Sequence, residues 1–309
     1  MSAAWDSIAD RIRDVCVDST VVIGLDIGAL TTYRVGGPAA VGVTVSDIDD
    51  LIALAAITAD VGVSTLVIGR GSNLLVADGG FDGVAIMLGE SFDDHEIDGV
   101  RVRAGGARRL PVLARATVRA GLTGFEWAVG VPGSIGGAVR MNAGGHGADM
   151  AASLVTAHLV DLGSGRDRIV DAADLDLGYR HSNVSPSHVV VAAELALSIG
   201  DRAVSERELT EIVRWRRENQ PGGQNAGSVF TNPSGDSAGR LIDEAGCKGL
   251  RIGSASVSTK HANFIQADPG GSAADVVAVM DEVRRRVEAS AGIELVVETR
   301  MVGFGRESS

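Results

Sequence analysis

Lysine is nearly missing from these 309 residues, occurring only at Lys248 and Lys260. Acidic residues outnumber basic ones, the net charge is −12, and no basic stripe with interleaved aromatics offsets it. Such a field repels nucleic acid and anionic lipid, so an anionic ligand has to be captured by local groups. Cysteine is equally scarce: Cys16 and Cys247 lie far apart, form no Cys-x-x-Cys spacing, and suit a reducing cytoplasm as core fillers. No run approaches 18 uncharged apolar residues, so no helical membrane span is expected. The stretch Met1 to Asp18 is broken by Asp6, Asp10, Arg11, Arg13 and Asp14 and reads as an amphipathic helix rather than a signal segment. Six histidines, at 95, 146, 158, 181, 188 and 261, form no i,i+4 pair and no carboxylate cluster, so no metal site is expected. A Gly-x-Ser-x-Gly elbow and a Gly-Lys-Ser/Thr phosphate loop are also missing. Only seven prolines and no triplet period exclude collagen-like and low-complexity readings.

What the chain has in excess is glycine, 41 residues against a usual share of about 7 per cent. The excess gathers in two nearly uncharged segments, Gly69-Arg-Gly-Ser-Asn-Leu-Leu-Val76 and Gly130-Val-Pro-Gly-Ser-Ile-Gly-Gly137, the second continuing into Asn142-Ala-Gly-Gly145. Each alone reads as a tight turn between buried strands. Glycine at this density also lets main-chain N–H groups turn inward and hold a diphosphate without lysine, and two such loops suggest one large, flat, anionic cofactor. Phosphate bound here would meet main-chain donors, Ser72 and Asn73, which points away from ATP chemistry.

The first third implies strand, helix, strand and anion loop in order: Val41 to Val45, Asp47 to Ala59, Ser64 to Ile68, then Gly69. Short strands dominate from Gly83 to Leu197, with hairpin turns at Asp98-Gly99 and Gly163-Ser-Gly165 and one helix from about Leu110 to Ala120. Composition changes near Asp201. A charged helix over Ser205 to Asn219, a break at Pro221-Gly-Gly223, and a helix from about Ser237 to Ala245 follow. Strands Leu250 to Val257 and Ala262 to Gln266 lead to a helix opened by the capping box Ser272-x-x-Asp275, and Glu294 to Val302 ends the pattern as a strand.

A few polar groups stand in apolar or glycine-rich settings. Taken singly, Arg180 reads as a surface arginine, Ser228 as a turn hydroxyl and Glu298 as the wet face of an alternating strand. The arginines at 214, 216 and 217 serve a solvated helix face or an anion equally well.

Eight segments in order are more specific than any one of them. Thr32-Tyr-Arg-Val-Gly-Gly-Pro38, the two glycine loops, Gly178-Tyr-Arg-His-Ser182, Asn225-Ala-Gly-Ser-Val-Phe-Thr-Asn-Pro233, Leu241-Ile-Asp-Glu-Ala-Gly-Cys-Lys-Gly249, Val257-Ser-Thr-Lys-His-Ala-Asn-Phe-Ile265 and Val297-Glu-Thr-Arg-Met-Val-Gly303 together resemble the UDP-N-acetylenolpyruvoylglucosamine reductases, over about residues 30 to 304. The resemblance implies an α+β protein: a two-lobed FAD-binding domain of the vanillyl-alcohol-oxidase type plus a C-terminal α+β substrate-binding domain. It places the first lobe at 1–75, completed by 295–309, the second lobe at 76–200, and the substrate domain at 201–294. The short connection from Arg180 to Val189 is similar to the variant without an extra tyrosine loop.

By the same resemblance Arg180, Ser228 and Glu298 are catalytic. Gly69, Arg70, Gly71, Ser72, Asn73, Leu74, Gly130, Val131, Pro132, Gly133, Ser134, Gly136, Gly137, Asn142 and Gly144 bind FAD, and Tyr179, Asn232, Lys260 and His261 bind substrate. The implied reaction is NADPH-dependent reduction of UDP-N-acetylglucosamine enolpyruvate to UDP-N-acetylmuramate, for peptidoglycan precursors, by a cytoplasmic monomer. Thr231 stands where many relatives carry lysine, and Gly145-His146 where many carry Ala-Tyr. The alternative is another FAD-dependent oxidoreductase of the same flavin fold acting on a different substrate.

Overall fold

Val41, Val43 and Val45 alternate inward along strand Ala39–Val45 and are wholly buried, as a half-covered strand requires. The structure, a computed structural model, describes residues 3–305. Met1 and Ser2 of the expected first helix lie outside the described residues, and the rest forms helix Ala3–Val15.

The chain divides into two units, the first comprising residues 1–25, 40–70 and 83–214, the second 26–39, 71–82 and 215–309. In the first unit a four-stranded sheet runs in the order Thr20–Ile23, Ala39–Val45, Phe81–Leu88, Thr65–Val67. Helix Ile48–Val61 starts where the Asp47 side chain accepts the Asp50 N–H at 2.8 Å and stops at Gly62, φ +72°. Its Leu51 and Leu54 pack with Val43, Val84 and Ile86 into one core. A second sheet is antiparallel throughout, in the order Asp167–Asp171, Leu154–Asp161, His188–Ala196, Arg101–Gly105, His95–Asp98. Helix Leu110–Arg119 buries Leu110, Leu113 and Val118 in the core of that sheet. Both hairpins fall at the expected glycines, Gly99 and Gly165 having φ of +56° and +67°.

In the second unit helix Ala273–Ala291 buries Val276, Val279, Met280, Val283 and Val287 against the three-stranded sheet Arg251–Ile252, Ala255–Val257, Ile265–Ala267. Strand Leu74–Val76 pairs in parallel with Arg300–Val302.

Four expectations differ from the structure. The strand expected over Ala262 to Gln266 forms only over Ile265–Ala267, because Ala262 and Asn263 make a turn in which the Phe264 N–H donates to His261 O at 3.1 Å. Leu250 to Val257 is two short strands, because Gly253 at φ +51° turns the chain and the Asp275 carboxylate accepts both the N–H and the hydroxyl of Ser254 at 2.7 Å. That bond also alters the capping box: Ser272 accepts the Ala274 N–H at 3.1 Å, but Asp275 does not reach back, and Ser254 Oγ accepts the Ser272 N–H instead. Finally, Glu294 to Val302 pairs as a strand only over Arg300–Val302, with one isolated bridge at Val297 to Phe230.

The start of helix Ala273–Ala291 is completed by Asp78, whose carboxylate accepts from Ser272 Oγ at 2.6 Å, Ala273 N at 2.7 Å and Ala274 N at 3.0 Å. Partial burial works to raise the Asp78 pKa, but the Ser272 hydroxyl and the two N–H groups outweigh it and hold the carboxyl below its ordinary 3.8. A lowered native pKa stabilises the fold above the ordinary carboxylate range and loses that contribution as pH falls through the native value. Asp78→Ala is therefore expected to cost about 1 kcal/mol at pH 7, the usual worth of a helix cap. Thermal melts should show that gap closing in acid. A gap of the same size at pH 7 and in strong acid would contradict the assignment.

Candidate active site

Glycines that look alike in the sequence do two different jobs around a cleft in the first unit, lined by Gly69, Arg70, Gly106, Ser134, Gly137, Arg140 and neighbours. A Cβ on Gly106 would stand 2.0 Å from the Val190 carbonyl oxygen, and one on Gly136 would stand 3.0 Å from it. Gly136 N–H donates to Gly106 O at 2.9 Å. These two glycines let the short helix Ile135–Met141 lie against strand His188–Ala196. Gly69 and Gly137 serve the cleft instead. A Cβ at Gly69 would reach only the Ser134 side chain, its hydroxyl at 2.7 Å, and one at Gly137 would come no nearer to anything than 3.8 Å. The expected second loop is thus a bent approach, Val131 to Ser134, in which the Gly133 N–H donates to Val131 O at 3.0 Å, followed by helix, with Ser134 3 % exposed at the junction.

The rest of the second loop is held from below. Gly133 O accepts the Leu110 N–H at 3.0 Å, and a Cβ on Gly130 would meet Ile212 and His146. Pro132 is exposed and Val131 half-buried. Just upstream, buried Glu126 accepts from Gly124 N at 2.7 Å and Ser205 Oγ at 2.6 Å. Burial works to raise its pKa, but the bonds from Ser205, Thr123 and the backbone win, and the carboxylate stays charged. Asn142, at φ +38°, ends the helix, and Gly144 opens a small hairpin with Asp149. Arg180 is half-buried and donates from Nη2 to Gly144 O at 3.1 Å, with its guanidinium carbon 5.3 Å from the ring centre of Tyr179, itself 59 % exposed.

The second unit holds the remaining candidates. Gly71, φ +60°, accepts the Thr32 N–H at 3.1 Å, and a Cβ there would stand 2.6 Å from Leu30 O. Ser72 is half-buried, and Leu74 begins the strand that pairs with Arg300. Ser228 and Glu298 come onto neighbouring chain segments: Glu298 N–H donates to Val229 O at 2.8 Å, and Phe230 bridges Val297. Asn73 Nδ2 donates to Glu298 O at 3.1 Å, and Asn73 O accepts the Arg300 N–H at 3.0 Å. Buried Asn263 clamps the other side, accepting the Phe230 N–H at 3.0 Å and donating to Phe230 O at 2.8 Å.

Asn232 Oδ1 accepts the Ala238 N–H at 3.0 Å and so caps a helix. Lys260 is exposed, and its ammonium donates to Arg217 O. Burial, helped by the nearby Lys248 charge, holds the His261 pKa below its usual 6.5, so the imidazole is neutral at pH 7. Thr231 spends both its N–H and its hydroxyl on Val296 O. Sequence reasoning missed Gly106, Arg140 and Asn263. For Gly106 the doublet Gly105-Gly106 was a visible signal, whereas Asn263 lies inside the segment Val257 to Ile265 but has no spacing that reveals its contact with Phe230.

Residues 38–168 match a family profile described as an FAD binding domain, and residues 219–302 match the C-terminal domain of UDP-N-acetylenolpyruvoylglucosamine reductase. A reductase of that name from Heliobacterium modesticaldum is 47 % identical over 276 residues, 88 % of each chain. The chain belongs to the UDP-N-acetylenolpyruvoylglucosamine reductase family. A second reductase, from Acidiphilium cryptum, is 44 % identical over 91 % of this chain and 92 % of its own. The crystal structure of the Thermus caldophilus reductase superposes with a TM-score of 0.79 at 34 % identity, covering 92 % of this chain and 98 % of that one.

Membership makes the chain a FAD-dependent oxidoreductase, and the α+β class with a flavin domain followed by the reductase C-terminal domain is as expected. The residues of the first unit fit that cofactor. Among the described residues the N–H groups of Gly69 and Arg70 donate to no protein acceptor, side chains at 69 and 137 are excluded or unneeded, and Arg70 and Arg140 bring positive charge to the same cleft. Among the described residues no helix is long and apolar enough to cross a membrane.

Proposed function

We propose that this reductase converts UDP-N-acetylglucosamine enolpyruvate to UDP-N-acetylmuramate with NADPH as reductant, in the cytoplasm. The observation that carries the reading is the joining of the Ser228 and Glu298 segments through Val229 O, with Asn73 and Asn263 fixing the chain on either side. FAD, when bound, supplies the hydride that reaches C3 of the enolpyruvyl ether. Negative charge then develops at C2 and spreads into the adjacent carboxylate, and stabilising it is the work of the protein.

Arg180 suits that work because a planar guanidinium grips a carboxylate with two parallel hydrogen bonds. Ser228 delivers the proton to C2. A hydroxyl is a weak acid, but a carbanion beside a carboxylate is a strong base, and the alkoxide exists only briefly near cations. Glu298 completes the set, paired with a cation or protonated, so that it does not oppose the forming charge. Lys260 and His261 attend the nucleotide end, the ammonium as a compact partner for diphosphate.

Purified protein should be yellow, release flavin on denaturation, and oxidise NADPH rapidly only when the enolpyruvyl UDP-sugar is added. A flavoprotein whose NADPH oxidation ignores that sugar would favour a different substrate. A Glu298→Gln protein with unchanged rate and unchanged pH–rate limbs would remove Glu298 from the mechanism.

A further inference from the structure

Arg180 carries its side chain from a backbone at φ +55°, a left-handed conformation that a non-glycine residue adopts at a cost of roughly 1–2 kcal/mol and keeps only when its surroundings hold it there. Gly178 and His181 exchange backbone bonds that close the turn, and one short stretch, residues 140–144, supplies three bonds that fasten it. Asn142 Nδ2 donates to Gly178 O at 2.8 Å, Ser182 Oγ donates to Arg140 O at 2.6 Å, and Arg180 Nη2 donates to Gly144 O at 3.1 Å. Asn142 is the centre of this strapping. It is 2 % exposed, its second amide proton faces Asp149 Oδ2 at 3.2 Å, and its oxygen accepts the Ala151 N–H at 2.9 Å. Both amide protons and the oxygen are therefore committed to protein, so any FAD contact at this position falls to the main chain, which a glycine retains. The left-handed φ of +38° also explains asparagine there, since its short polar side chain tolerates that region.

We propose that Asn142 is a positioning residue for Arg180: it fastens the turn Gly178–Ser182 to the end of the helix that begins at the second glycine loop, setting the guanidinium relative to the flavin cleft. This rests on the role given to Arg180 above. Asn142 touches no reacting atom in this scheme and acts through the arginine, as the chain's own link between cofactor site and carboxylate grip.

The test is a double-mutant cycle on the holoprotein, using Asn142→Gly, which keeps the left-handed backbone and removes the three side-chain bonds. Stopped-flow traces should show flavin reduction by NADPH within a few-fold of wild type and reoxidation by the enolpyruvyl UDP-sugar slowed about 100-fold, the scale of a misplaced catalytic group. In an Arg180→Ala background the same substitution should have almost no further effect, because residues acting as a unit are not additive. Equilibrium binding of UDP-N-acetylmuramate to the oxidised flavoprotein, read by calorimetry, should weaken in Asn142→Gly and not weaken again in the double variant. Additive losses, or equal losses in both half-reactions, would overturn the proposal. Should Asn142→Gly not yield folded flavoprotein, Ser182→Ala removes one strap alone and enters the same cycle, with a smaller loss in the same half-reaction; no loss there overturns the proposal. If Arg180→Ala itself reoxidises at the wild-type rate, the functional reading fails instead, and the two failures are distinct.

Discussion

Ser228→Ala protein is expected to bleach its flavin with NADPH at close to the wild-type rate, and to regain colour with the enolpyruvyl UDP-sugar about 10² to 10⁴ times more slowly, the range for removing a positioned general acid. The local structure makes this a clean experiment. The chain at Ser228 is held by its neighbours and not by its own hydroxyl: Val229 N–H donates to Asn263 O, Phe230 exchanges two bonds with the Asn263 amide, and Val229 O accepts from Glu298 N. Val229 and Phe230 are buried, so an alanine at 228 leaves the packing that fixes the loop intact. Only the proton source is lost. Single-turnover absorbance separates the two half-reactions, and equal slowing of both would remove Ser228 as donor. Substrate should still bind, because the carboxylate grip is assigned to Arg180 on a different segment.

The parts of this fold that the sequence made legible are those whose signals are local. Helix Ile48–Val61 announces itself by an aspartate that caps and a glycine that stops it, and the hairpins by glycines that turn left-handed. The site was legible as a set of motifs, yet the sequence could not say which glycine packs and which leaves room. Gly106 and Gly69 differ only in what a Cβ would strike, a backbone carbonyl in one case and a serine hydroxyl in the other. The long-range polar contacts were invisible for the same reason. Asp78 caps a helix 194 residues away, and Asn73 holds Glu298 O from 225 residues away. Neither bond has a spacing that could be read along the chain. The apolar run Leu250 to Val257 misled because a strand's pattern continues through Gly253-Ser254, while the turn is made by a distant carboxylate, Asp275.

Arg180→Ala is expected to lower the rate of reoxidation by the enolpyruvyl UDP-sugar about 10² to 10³-fold, the usual cost of deleting one group that stabilises developing charge. The reasoning turns on geometry as much as on charge. The guanidinium sits half-buried with one nitrogen donating to Gly144 O, a bond that fixes the plane of the group. Arg180→Lys keeps the positive charge but has neither that planar anchor nor two parallel donors, so it should recover only a small part of the loss. Added guanidinium ion should recover more in the alanine protein than in the lysine protein, because alanine leaves the space open. Flavin reduction by NADPH is expected to stay near wild type in both. Full activity in Arg180→Lys would mean that a point charge suffices and that the paired hydrogen bonds are dispensable. Full activity in Arg180→Ala would mean that the charge forming at C2 is stabilised elsewhere, and the assignment of this turn to the substrate carboxylate would have to be abandoned.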